Sequence, residues 1–182
     1  MRNLKLSLCA IALTIASGSA LAAGEVTQGT VTFNGELITE TCSIATDSVD
    51  IQVTLPTVST QTLSAAAATA GSKGFDINVE KCPAGITSVA AHFEAIGSSG
   101  VDSATGNLTN QFVAAGEDAK AGNVEVRLYN SDEQHLKLGE TGAAATVTDG
   151  KATMRYYGGY YATAATTAGK VMAQAAYTLA YP

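Results

Sequence analysis

Tryptophan is absent from this chain of 182 residues, histidine occurs twice, proline and cysteine three times each, and only 14% of residues are charged. Each shortage narrows the chemistry. The histidines, His92 and His135, stand in no H-x-x-x-H spacing, which excludes a helical zinc site of that kind. No G-x-S-x-G elbow and no glycine loop opening a helix occurs, so the commonest serine-hydrolase and nucleotide-binding signatures are missing. The acidic pairs Glu117-Asp118 and Asp132-Glu133 fall in turn-like stretches and read as solvated loops rather than an acid and a base. Asn107-Leu108-Thr109 matches a glycosylation sequon, a pattern of only three residues. No enzyme activity, cofactor or metal is expected.

What is present begins at the first residue. Arg2 and Lys5 precede an apolar run from Leu6 to Ala16, and Ala20-Leu21-Ala22 supplies small residues for cleavage before Ala23. That layout is a secretory signal peptide, residues 1–22. The run is too short to cross a hydrocarbon core of ~30 Å as an anchor. Two of the ten basic residues and none of the sixteen acidic ones lie in this segment, leaving residues 23–182 at −8. That charge argues against nucleic acid and against an anionic membrane as partners. Cys9 departs with the signal and leaves Cys42 and Cys82. Export favours a disulfide between them, with two free thiols as the alternative. Closing that loop would stabilise by about 4 kcal/mol in the chain-entropy picture.

Alternation of polar and apolar residues recurs along the rest. It is found at Thr30 to Phe33, Phe75 to Glu80, Val124 to Tyr129 and Ala173 to Tyr181, with a looser case from Val89 to Ile96, while Met154 to Ala162 is aromatic-rich. Turn signals such as Asn34-Gly35, Pro83-Ala84-Gly85 and Asp149-Gly150 separate these segments. Six or seven short strands in one domain of this length predict an all-β, immunoglobulin-like sandwich. The alanine run from Ala65 to Ala70 is expected to form a helical turn or loop that Gly71 ends.

The two ends carry the functional signal. Thr27, Gly29, Val31 and Phe33 share one parity, so in a strand they would line one face. That strand has no evident partner within the domain; an ordinary first strand or a frayed tail is the alternative. At the other end Ala173, Ala175, Tyr177, Leu179 and Tyr181 also share a face, and the sequence stops one residue later at Pro182. A sandwich ending there would expose an open strand edge, a liability unless another chain covers it.

On these residues the sequence resembles the pilins of the chaperone–usher pathway, close to the major-subunit group of type 1-like fimbriae. The matching pieces are the leader, the G-T-V-T-F-N-G extension at Gly29 to Gly35, and F-D-I-N-V-E-K-C at Phe75 to Cys82. The aromatic stretch Tyr156 to Thr163, Gly169 fourteenth from the end, and the penultimate Tyr181 complete the match. Pro182 departs from the usual ending and offers no amide donor. The resemblance implies an incomplete immunoglobulin-like sandwich that lacks its seventh strand and is completed by a donor strand from another subunit. It implies residues 23–34 as the donor extension, with Thr27, Gly29, Val31 and Phe33 facing the groove, and 35–182 as the pilin domain. Gly169, Tyr177, Leu179 and Tyr181 would belong to the strand that borders the groove and meets the chaperone, and Cys42–Cys82 would be the family disulfide. Partners would be copies of itself, a periplasmic chaperone and an outer-membrane usher; the destination would be a fimbria on the cell surface. A minor linker or tip subunit, or a secreted immunoglobulin-like binding module, are the other readings.

Overall fold

The computed structural model describes residues 29–35, 37, 38, 40–97 and 100–182. The signal segment and Thr27 lie outside the described residues. The chain divides into a leading unit that ends at Leu37 and a folded unit from Ile38 to Pro182. In the leading unit, residues 29–35 have no regular secondary structure.

The folded unit is built from antiparallel strands: β1 Ser43–Ile44, β2 Thr69–Glu80, β3 Ser88–Ala95, β4 Leu108–Thr109, β5 Val124–Tyr129, β6 His135–Leu136, β7 Ala145–Thr146, β8 Ala152–Ala162 and β9 Ala175–Ala180. A 3-10 turn, Thr46–Ser48, follows β1. One sheet runs β1-β2-β8-β5-β4, with β6 also on β5; the other runs β7-β3-β9. Five of the strands reach six residues or more, and the remaining four are two-residue pairings. Each of the five long ones overlaps a segment that the sequence marks as a strand candidate, whereas the alternating Thr30 to Phe33 segment is not a strand.

The core lies between the sheets and follows from parity. Phe75, Ile77 and Val79 of β2 face Met154 and Tyr156 of β8, with Val89, Ala91 and Phe93 of β3 closing from the other sheet. Tyr156 is completely buried and serves both layers. Its ring meets Phe93 edge-on at 5.0 Å, while its hydroxyl accepts from Ala91 N at 3.1 Å and donates to Ala143 O at 2.9 Å. The Cys42–Cys82 disulfide is formed and ties the residue before β1 to the end of β2.

One expectation needs correction, and two residues noted in the sequence find their places. The alanine run is a turn only as far as Ala67; β2 starts at Thr69 and continues through Gly71. The register slips between Ala70 and Lys73, and Gly71 takes a φ of +65° there, so this glycine makes a bulge and does not terminate the element. His135 lies in β6, where its Nε2 is buried without a partner. Burial, then Arg127 and Lys137, lower its pKa and keep it neutral near pH 7. The sequon asparagine, Asn107, is fully buried; its amide donates to Glu125 Oε2 at 2.9 Å and its carbonyl accepts from Arg127 Nε at 3.1 Å, so it is not presented for a glycan.

Tyr156→Phe keeps the ring but strips Ala91 N and Ala143 O of their partner. Urea unfolding of the purified protein should show a loss of about 1–3 kcal/mol with an unchanged m-value.

Candidate functional site

β9 is bonded along one side only. Its residues pair with β3 from Ala90↔Ala180 to Ala95↔Ala175. On its other side no backbone–backbone hydrogen bond occurs among the described residues. The side chains report the same condition. Val89, Ala91 and Phe93 of β3 are buried, whereas Ala175, Tyr177 and Leu179 on the inner face of β9 are only half-buried.

Residues 49–58 line the same cavity as this edge and have no strand partner among the described residues. Val49, Ile51, Val53 and Leu55 alternate there until Pro56 stops the pattern. Between this segment and residues 169–177 lies a cavity of about 1490 Å³. Its floor is apolar and comes from the opposite sheet and β3: Phe75, Phe93, Val126, Leu128, Gly158 and Tyr160. Its rim keeps apolar side chains in water, with Val49 at 69% and Met172 at 40% exposure. A groove of this length, apolar inside and edged by unpaired backbone, has the form that accepts an extended strand.

Both ends of the groove are fixed. At one end two tyrosines of the β9 face reach back to the start of the domain. The Tyr177 hydroxyl donates to Ser48 O, and the Tyr181 hydroxyl accepts from Cys42 N at 3.0 Å. Burial, with the charge of Asp47 adding to it, raises the Tyr177 pKa, so the phenol remains a donor at all physiological pH. At the other end the backbone of Lys170 is clamped. Its carbonyl accepts from Ala121 N at 3.0 Å and its amide donates to Ala119 O at 2.7 Å. Asn110, itself buried, bonds Lys170 O and Ala121 O, both at 3.0 Å, and accepts from Met172 N at 3.1 Å. Gly169 is what permits this approach: a Cβ there would stand 2.4 Å from Ala121 N.

The structure therefore places Gly169 and Tyr177 on the cavity, while Leu179 and Tyr181 are half-buried and outside its lining. Gly29, Val31 and Phe33 lie in the leading unit, where Val31 is 77% and Phe33 91% exposed. The sequence reading missed the far wall, although V-x-I-x-V-x-L from Val49 to Leu55 is the same period-two signal used elsewhere. His92 plays no part here; its Nδ1 lies 2.9 Å from Thr141 Oγ1.

The family model for fimbrial proteins matches residues 31–182. The chain is 43% identical over 169 residues to the major fimbrial subunit SMF-1 of Stenotrophomonas maltophilia (strain K279a), covering 87% of this chain and 95% of that protein. It is 39% identical over 179 residues to the F17 fimbrial protein of Escherichia coli, covering 93% and 94%. A subunit in a chaperone–usher pilus structure concerned with rod uncoiling superposes with a TM-score of 0.59 at 23% identity, over 94% of this chain and 100% of that one. The likeness to that structure supports the fold, an all-β sandwich of the pilin type. The chain belongs to the fimbrial protein family and is a structural subunit, not an enzyme.

Gly169→Ala should lower the urea midpoint by the equivalent of about 1–3 kcal/mol, since the new methyl has no room against backbone. Gly85→Ala, where a Cβ would meet nothing within 4 Å, is the matched control and should change little.

Proposed function

We propose that this chain is the repeating subunit of a fimbrial rod, polymerised by exchange of strands between copies. The observation that supports it most is the pairing of a one-sided β9 with an apolar cavity of about 1490 Å³ in a chain whose leading unit exposes alternating apolar residues. In this reading the sandwich lacks its seventh strand. The leading segment of a second copy, residues 23–34, fills the groove, bonds to β9 and to residues 49–58, and turns Thr27, Gly29, Val31 and Phe33 inward.

The energetics suit such an exchange. Burying Val31 and Phe33 would stabilise by about 1.5–3 kcal/mol each. Every new strand hydrogen bond adds about 0.5–1.5 kcal/mol net. Before assembly the same groove would be covered by a strand from a periplasmic chaperone, and an outer-membrane usher would host the replacement. Residues 1–22 would direct export, and the assembled fibre would stand on the cell surface. The major rather than minor role draws on the relatives named as a major fimbrial subunit and a fimbrial protein.

Val31→Asp and Phe33→Asp each place a charge in an apolar groove and should abolish fibres, scored by electron microscopy of cells expressing the chain with its own secretion genes. Normal fibre yield in both variants would sink the donor assignment. Removal of residues 23–34 with the signal kept should give a subunit that is exported and enters a chaperone complex but never extends a fibre. Quantifying this chain in isolated fibres checks the rod role, which requires it to dominate by copy number.

A further inference from the structure

Along the inner face of β8 the positions are Met154, Tyr156, Gly158 and Tyr160. Gly158 alone lacks a side chain, and its own backbone does not require that. It is not among the glycines with positive φ, and an added Cβ would meet only Val126 Cγ1 at 3.8 Å and Leu128 Cδ2 at 3.9 Å, ordinary contacts. Gly142 and Gly169 are different, since a Cβ there would lie 2.5 Å from Tyr156 Cε1 and 2.4 Å from Ala121 N. Those two glycines relieve a clash. Gly158 instead leaves a hollow in the cavity floor.

We infer that Gly158 sets the size of side chain the groove accepts, and that the hollow above it seats Val31 of a second copy. The inference rests on the strand-exchange reading above. The order of side chains along the floor supplies the register. At the Tyr177 end the rings of Phe75, Phe93 and Tyr177 line the cavity, with Tyr156 packed against Phe75 and Phe93, and neighbouring centroids stand 5.0–6.3 Å apart. The donor position facing those rings must be the smallest, which is Gly29. Two residues further along a strand is about 6.8 Å, the step from one inward position of β8 to the next. That step carries Val31 over Gly158 and Phe33 over the Tyr160 end. With the opposite strand direction and Gly29 unmoved, the two apolar donors Val31 and Phe33 would both pass Tyr177, the last residue of β9 that lines the cavity, whereas in the chosen direction only the polar Thr27 passes that end.

The test is a double-mutant cycle on fibres assembled in cells, read as the rate of fibre dissociation in guanidinium. Gly158→Ala and Val31→Ala should each speed dissociation about tenfold, one by overfilling and one by emptying the seat. Combined, they should dissociate no faster than the milder single variant, because the added methyl occupies space the valine vacates. Gly158→Ala with Phe33→Ala should instead give the product of the two single effects. If Gly158→Ala alone prevents fibres, their return in the double variant with Val31→Ala supports the seat, and their continued absence overturns it. An unaltered rate for Gly158→Ala, multiplicative behaviour with Val31→Ala, or coupling to Phe33→Ala overturns it too. Each of those results leaves fibres formed through the donor segment, whereas normal fibres from Val31→Asp and Phe33→Asp would remove the underlying reading itself.

Discussion

A β-strand with one side unpaired, placed over an apolar cavity, is an unstable arrangement unless something completes it. β9 has that form: its backbone bonds to β3 on one side, and its inner residues are only half withdrawn from water. Unpaired backbone groups can be hydrated while the edge is open, but the rings and aliphatic groups beneath cannot be covered that way. The placement of the tyrosines, the glycines and the clamp around Lys170 can be understood as keeping this opening in shape. Tyr177 and Tyr181 hold β9 to the beginning of the domain at one end, and Asn110 holds its approach at the other. The Cys42–Cys82 bond fixes the segment those tyrosines reach, since Cys42 N is itself the donor to Tyr181. The groove is thus a gap with rigid ends, not a loosened part of the core.

Much of this was readable from period-two patterns. Val124 to Tyr129 is β5 to the residue, and the buried parity in β8 follows Met154 and Tyr156 as alternation requires. Where the sequence reading failed, a local rule met a tertiary demand. Gly71 looks like a stop after an alanine run, but β2 bulges there and runs on, close enough to β8 that a Cβ on Gly159 would stand 3.1 Å from Ser72 Cα. The sequon at Asn107 is a weak signal in itself, and three residues cannot reveal that Glu125 and Arg127 occupy its amide. The wall formed by residues 49–58 was legible but overlooked, and it has no ladder partner among the described residues to make it a strand. Floor positions such as Gly158 were beyond reach, because a glycine that leaves a hollow and a glycine that avoids a clash are identical in sequence.

A subunit that borrows part of its core gains stability on assembly beyond what its own fold supplies. In the proposed reading, whatever occupies the groove binds the folded form and not the unfolded one, so it adds stability by mass action. A donor tethered to the next copy is present at high effective concentration and brings its own domain with it, which makes each junction hold the next subunit in register. Release would then require the whole length of strand to leave together, because partial withdrawal exposes apolar surface without freeing the chain. Such a fibre resists dissociation through the height of that barrier, a kinetic property. The same reasoning explains why fit at a single seat counts for so much. A methyl too many or too few at one position acts along a barrier that every junction in the fibre has to maintain.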